Sequence, residues 1–309
     1  MFGDTEQQFL QIHIDAARNA TDDFNPFHDP YKWERIHANP FAGTIALGFQ
    51  LEMLAAHRLN VLREVTGESE LLGKHELRFA NYQFSFADVV QPEEGFRVDI
   101  KSTSNRVSGA GQLANRIALR KGRRLVILGY QRETRQPLNF PDVDFTGLGD
   151  LDAIEDRSYP HDSGYFLKRK FMNTSNAKNF LAGSLVDQHY YFDELEGRVR
   201  FPSMFPVAML SCALLEKALQ EGYDFYTRPM VYTGHDISID RLLLEKLKSN
   251  DRLHILVQGP EPVPPAKGLG KSDIPQTRYN CFGLVDGNGL LYRAKVDMAL
   301  LADVIAVRS

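Results

Sequence analysis

The sequence predicts an α+β protein in which a curved antiparallel sheet wraps a buried helix, an arrangement that occurs twice in one chain. Three observations carry this. Two segments are apolar on nearly every side, each is followed by several strand-like runs, and the element order repeats on either side of an acidic, turn-rich stretch.

The first apolar segment is expected to be a helix from Gly43 to about Val65. Its opening, Ile45-Ala46-Leu47-Gly48-Phe49-Gln50-Leu51-Glu52-Met53-Leu54, leaves almost no polar face. The second is Pro206-Val207-Ala208-Met209-Leu210-Ser211-Cys212-Ala213-Leu214-Leu215-Glu216, where Pro206 suits a first helical turn because its missing N–H costs nothing there. A helix that is apolar all round has to be covered all round.

The covering layer is read from strand patterns. After the first helix come Leu77–Phe86, Gly95–Lys101, Gln112–Arg120 and Arg124–Gln131, the last two meeting at Lys121-Gly122. After the second come Tyr226–Ile239, Arg252–Val257, Thr277–Val285 and Leu290–Ala299, the last two meeting at Asp286-Gly287-Asn288-Gly289. Between the halves, Gln131 to Gly164 is rich in Pro, Gly and Asp and reads as a linker or long surface crossing. The expected division is 1–135, an acidic linker 136–164, and 165–309. Gly259 to Pro275 reads as a long loop between strands.

Composition narrows the function. The 309 residues are 43% hydrophobic and 25% charged, with a net charge of −4, as in an ordinary globular protein. Acids and bases are interspersed, which argues against a nucleic-acid surface. The strongest basic cluster, Arg120-Lys121-Gly122-Arg123-Arg124, reads first as a solvated hairpin tip and second as a contact for the phosphates of a carrier such as coenzyme A. Cys212 and Cys281 form no CxxC pair, so neither a zinc site nor a disulfide framework is expected. The first residues lack a signal-peptide pattern and no apolar stretch reaches membrane-span length, so a cytoplasmic location is expected.

Just before the first helix stands Thr21-Asp22-Asp23-Phe24-Asn25-Pro26-Phe27-His28. It resembles the signature of the MaoC-like family, the (R)-specific enoyl-CoA hydratases: hydroxyl or small residue, Gly, Asp, any residue, Asn, Pro, aliphatic, His. Asp23, Asn25, Pro26 and His28 match at the same spacing and Thr21 fits the hydroxyl position, while Asp22 replaces the glycine and Phe27 the aliphatic. The resemblance covers roughly residues 9–130 in outline and is specific over Asp23–His28. It implies a double hotdog fold and a 2-enoyl or 3-hydroxyacyl thioester substrate, on coenzyme A or acyl-carrier protein, handled without cofactor or metal. Hotdog units pair, so a monomer with two paired halves and a homodimer are both open.

The residue types suit the reaction. Hydration of a 2-enoyl thioester needs water activated at C3, a proton at C2 and a stabilised enolate-like oxygen. A carboxylate and an imidazole sharing one water can do the proton work, which assigns Asp23 and His28 as catalytic and Asn25 as support. The Asn-Pro turn restricts the backbone between them. Unpaired N–H groups at the helix start, expected near Gly43 and Thr44, would receive the thioester oxygen.

Family members usually carry Ala-His-Gly at the helix entrance. Here Pro40-Phe41-Ala42-Gly43-Thr44 retains the glycine and places Ala42 at the histidine, with His37 nearby read as a surface residue. The second half has no such motif. Its Asp187-Gln188-His189 and Asp193-Glu194 are read as structural, and that half is expected to shape an acyl tunnel. Two rival functions are a hotdog thioesterase, using Glu52 or Glu216, and a non-catalytic acyl-thioester binder. Both glutamates read as helix-end polar residues, Glu52 where the helix emerges.

Overall fold

The computed structural model describes residues 6–160, 163–263, 274–285 and 289–306. In chain order the first elements are strand β1 (Gln7–Gln8), helix α1 (Gln11–Thr21), helix α2 (Gly48–Val65) and the short α3 (Glu70–Lys74). Strands β2 (Phe79–Phe86), β3 (Gly95–Ile100), β4 (Ser104–Asn105), β5 (Gln112–Lys121) and β6 (Arg124–Thr134) follow. Then come β7 (Phe166–Phe171), α4 (Thr174–Gly183), the small hairpin β8 (Phe192–Asp193) and β9 (Arg198–Val199), and the two helices α5 (Met204–Ala208) and α6 (Leu210–Gln220). The chain continues through β10 (Met230–Asp240), α7 (Arg241–Leu244), β11 (Arg252–Pro262), β12 (Thr277–Val285), β13 (Gly289–Leu300) and α8 (Leu301–Ala306).

One antiparallel sheet runs β1-β3-β5-β6-β2-β10-β13-β12-β11-β7, with β4 paired to β5. From the outside inward the two flanks read β1, β3, β5, β6, β2 and β7, β11, β12, β13, β10, the same order of appearance in the chain. They meet where β2 pairs β10, from Gly234 opposite Ser85 to Asp240 opposite Phe79.

Strand alternation explains this seam. Ala80, Tyr82 and Phe84 of β2 and Ile237 and Ile239 of β10 point into the main core. Their neighbours face the other way and bond across the seam: Ser238 Oγ donates to Asn81 Oδ1 at 2.5 Å and Gln83 to Asp236 at 3.2 Å.

The N-terminal half of α2, from Phe49 to Ala56, is buried on every side, and three polar residues of the helix reach other elements. Gln50 donates to the Gly183 carbonyl at 2.6 Å, tying α2 to the end of α4. α4 in turn crosses α1 so closely that a Cβ on Gly183 would lie 2.7 Å from the Ala17 nitrogen. Glu52 accepts from or donates to His235 Nδ1 at 2.9 Å, both fully buried, with Phe49 stacked on the imidazole at 4.6 Å. Arg63 pairs with Glu133 at 2.6 Å and donates to Asn115 at 3.0 Å.

Several expectations need correction. α2 begins at Gly48, not Gly43, because residues before it are spent on extended pairing: Ile45 N–H donates to the Phe27 carbonyl and Ala46 N–H to the Val90 carbonyl. Glu52 does not emerge but is sealed against His235, a partner on a distant strand. β11 continues to Pro262, so the first residues of the expected Gly259–Pro275 loop are strand, paired through Glu261 opposite Arg278. The Asp286-Gly287-Asn288 turn lies outside the described residues. The Lys121-Gly122 hairpin forms, with Gly122 at φ 54.

The acidic stretch between the flanks is more than a crossing. Phe145, Leu148 and Leu151 pack on Leu167, Leu256 and Phe282, on the face of the second flank away from the main core. Its acids find strand cations, Asp152 with Arg252 at 2.5 Å and Asp156 with Lys168 at 2.7 Å. Both cysteines are buried and unpaired, and burial pushes the Cys212 thiol up to about 12.

Two predictions follow from the buried polar residues of α2. Arg63→Ala takes from the buried Glu133 its shortest ion pair and leaves it Arg241 and Gln131, which costs about 3 kcal/mol in urea denaturation. Burial alone would raise the Glu133 pKa, but Arg63, Arg241 and Gln131 outweigh it and hold it below 4.5. The stabilisation is therefore complete above that value and is lost as pH falls through the lower folded-state value, so the gap between wild type and variant narrows on acidification. Separately, Glu52→Ala strands the His235 Nδ1 and costs about 1–3 kcal/mol, part of which returns when His235→Phe is added.

Candidate active site

The expected site residues sit on the turn that follows α1. The helix ends with Asp22 in the left-handed region at φ 56. Asp23 then folds back so that its Oδ1 accepts the Asn25 N–H at 2.9 Å. Asn25 Oδ1 accepts the Phe27 N–H at 3.1 Å and opens a one-turn 3₁₀ helix over Pro26–His28. Pro26 at its first position fixes φ where no N–H is needed. These local bonds are what Asp and Asn do in turns, and here they hold Asp23 and His28 on one side of the turn.

Asp23 and His28 are buried, 5% and 6% exposed, and Asp23 Oδ2 lies 3.9 Å from His28 Nε2. That is too long for a direct hydrogen bond and leaves both atoms within reach of one water at ~2.8 Å from each. His28 Nδ1 lies 2.7 Å from the Ile45 carbonyl. A carbonyl only accepts, so Nδ1 carries a proton, and Nε2 is the nitrogen that faces Asp23.

Two small adjoining cavities, about 80 and 50 Å³, open beside His28 and share Asn25, Phe27, Met230, Tyr232 and Met298, while Asp23 lies behind the histidine and lines neither. His28, Gly48 and Asp88 line the first, while Leu214, Leu215 and Phe225 make the second apolar. The far wall thus comes from α6 and β10, the second flank of the sheet. Tyr232 lines both and shares a hydrogen bond with Ser211 at 3.1 Å. Burial, then the Asp23 carboxylate, push its phenol well above the ordinary value, so it stays protonated. Asp88 ties the cavity rim to the basic hairpin, pairing with Lys121 at 3.4 Å and Arg124 at 2.7 Å.

Gly43 and Thr44 are not at a helix N-terminus. They lie in the extended run ahead of α2, and the Thr44 hydroxyl donates to Gln11. The helix entrance is Ala46-Leu47-Gly48, so two residues of the Ala-His-Gly pattern are present there and Leu47, not Ala42, stands at the histidine. Ala42 and His37 are exposed. The Gly48 N–H, at the first helical position, has no acceptor among the described residues. A Cβ on Gly48 would meet the Phe86 ring at 3.1 Å, so glycine is what lets the helix end approach the cavity. Sequence reasoning passed over Gly48, Tyr232 and Ser211. An Ala-x-Gly run directly ahead of the apolar segment was the available signal for the first, and nothing local marked the other two.

Glu52 faces His235 rather than the cavities, and Glu216 pairs with Arg157 and with Lys168 at 3.3 Å. Among the described residues no cluster of His, Cys, Asp and Glu has metal-binding geometry, and no helix is long and apolar enough to cross a membrane.

No family sequence model matches the chain, and no curated protein matches it by sequence. Solved structures do. A MaoC-like dehydratase superposes with a TM-score of 0.56 at 10% identity, covering 96% of each chain. A MaoC domain protein dehydratase of Chloroflexus aurantiacus gives 0.53 at 9% identity over 96% of this chain and 93% of that one. A Mycobacterium tuberculosis protein described as a double hotdog gives 0.54 at 12% identity over 97% and 95%. At these identities the likeness speaks for the fold: this chain has the hotdog fold, matched over nearly the whole length of MaoC-like dehydratases and of a double hotdog protein.

Proposed function

We propose that the chain hydrates a 2-enoyl thioester, or dehydrates the 3-hydroxyacyl thioester, at Asp23 and His28. The observation that carries this is the buried pair 3.9 Å apart, with the imidazole tautomer fixed by Ile45. A water held between them loses a proton to His28 Nε2 as its oxygen bonds to C3, and a proton is delivered to C2 from the same pair. The new C3–O and C2–H bonds replace the C2–C3 π bond, so no redox partner is needed. Asn25 supports the water: its Oδ1 is committed to Phe27, while its side-chain NH₂ has no partner among the described residues. The developing enolate oxygen is received by the Gly48 N–H and the positive end of α2, in place of the Gly43 and Thr44 groups expected first.

The acyl chain enters the apolar cavity beside Leu214, Leu215 and Phe225. The carrier lies across the rim, where Arg123 and Arg124 of the hairpin meet the phosphates of coenzyme A or of an acyl-carrier prosthetic group. Residues 1–135 and 165–309 act as two tandem halves, the second supplying the far wall of the first half's site. The hydro-lyase reading is favoured over a thioesterase because Glu52 is sealed against His235.

Crotonyl-CoA hydration, followed by loss of the enoyl absorbance, tests this. Asp23→Asn and His28→Ala each lower kcat by about 10²-fold or more with the fold intact. Unchanged turnover in both variants sinks the assignment, and release of free thiol identifies a thioesterase instead. A charge reversal at the rim, Arg123→Glu with Arg124→Glu, raises KM for the coenzyme A thioester with little change in kcat, and the effect shrinks in high salt.

A further inference from the structure

A second, larger cavity lies away from the one beside His28. About 670 Å³ in volume, it lies at the other end of the β2–β10 seam, against Ala80 and Tyr82 of β2 and the C-terminal turns of α2. That volume falls within the range of small-molecule sites, roughly 300–1,000 Å³.

Its position is the counterpart of the Asp23–His28 site. α4, like α1, is followed by a residue in the left-handed region, Leu185 at φ 56. Asp187 then plays the part of Asn25, its Oδ1 accepting the His189 N–H at 2.9 Å to open a 3₁₀ turn over Gln188–Tyr190. Tyr190, the last residue of that turn, stands where His28 stands in the first. Leu185 and Val186 occupy the stretch that holds Asp23. The cavity lining repeats the correspondence, with Tyr190 from the turn, Ser203 ahead of α5, and Asn60 and Arg63 from the opposite helix.

The chemistry has changed with the side chains. Burial first, and then the bond to Glu64, raise the Tyr190 phenol far above its ordinary value, so it neither takes nor gives a proton near neutrality. Four arginines line the cavity, Arg63, Arg198, Arg200 and Arg241, with two acids, Glu64 and Glu245; behind the wall Arg63 and Arg241 share Glu133, and Arg198 lies 3.4 Å from Asp193. Arg63 is 1% exposed and its Nε has no hydrogen-bond partner among the described residues, nor has the buried Nε of Arg198. Arg200 is exposed and has no carboxylate within ion-pair distance among the described residues. Tyr82, Tyr191 and Phe201 add aromatic walls.

We infer that this cavity is a second, non-catalytic ligand site, and that it takes a phosphorylated molecule bearing a planar ring, the chemistry of a nucleotide. Guanidinium groups match phosphate geometry with paired N–H donors, and aromatic side chains supply faces for a ring. The site does not depend on the hydratase reading, because its readout is binding and passes through neither Asp23 nor His28.

Calorimetric titration of the full chain with ADP tests it, with pyrophosphate as the ring-free comparison. ADP binds the wild type and the Asp23→Asn variant alike, and more tightly than pyrophosphate does. Arg198→Ala with Arg200→Ala weakens ADP binding by about tenfold or more, since hydrogen bonds to charged groups contribute roughly 1.5–3 kcal/mol each. Both side chains are partly exposed, so the variant keeps its fold, and Arg200→Glu alone gives a second loss of affinity from a surface position. Absence of ADP binding overturns the proposal, as does binding unaffected by either arginine variant. Pyrophosphate binding as tight as ADP overturns the assignment of a ring-bearing ligand.

Discussion

The pairing of β2 with β10 is the constraint on which the molecule depends. It joins the two flanks into one sheet, and it places α2 and the α5–α6 pair on the same core face. Neither helix has a polar face to spare, so each needs the sheet of both flanks and the other helices to exclude water from it. The seam also fixes where cavities form. At one end Phe86 and Tyr232 face the N-terminus of α2, and at the other Ala80 and Tyr82 face its C-terminus. A register slip of one residue would exchange the core row of Tyr82, Phe84, Ile237 and Ile239 for the hydrogen-bonded row of Asn81, Gln83, Asp236 and Ser238.

Each end of the seam carries the same local device: a helix, one left-handed residue, and a 3₁₀ turn opened by an Asn or Asp side chain. The side-chain caps of the two turns are nearly interchangeable, Asn25 Oδ1 accepting at 3.1 Å and Asp187 Oδ1 at 2.9 Å. What differs is what the turns present. One carries the Asp23–His28 pair with His28 on a cavity wall, the other Tyr190 toward arginines. Fold and chemistry therefore separate cleanly here, as they do wherever sites are grafted on a shared scaffold.

This also explains how much the sequence could reveal. Apolar helices and alternating strands are local patterns, and the strands and the buried helices appear close to where the sequence places them. Asp23 to His28 was legible because its geometry is made within the turn itself. Gly48 was missed since Gly43 and Gly48 both precede the same apolar run, and only the bonds of Ile45 and Ala46 to Phe27 and Val90 show that the chain is still extended between them. Glu52 was misread because a glutamate's burial depends on its partner, and His235 lies 183 residues away. The linker looked solvated because its acids dominate, whereas their partners Arg252 and Lys168 lie on strands that its composition does not mention. The arginine cavity assembles from α2, the turn after α4, β9 and α7, and no single stretch of sequence marks it.

The fixed tautomer of His28 bears on which way protons move. With Nδ1–H committed to the Ile45 carbonyl, His28 exchanges protons only through Nε2, the atom that faces Asp23. The Ile45 carbonyl is itself positioned by the extended run, since Ile45 N–H is bound to Phe27, one residue before the histidine. That run ends at Gly48, which opens α2 and lines the same cavity as His28. In the proposed reaction one short segment, Ile45 to Gly48, thus orients His28 at its first residue and would offer the oxyanion donor at its last. Leu47 stands between them, and the contacts of Ile45 on its N-terminal side, to His28 and Phe27, are made by backbone atoms, so the proposed reaction draws on no side chain at that position.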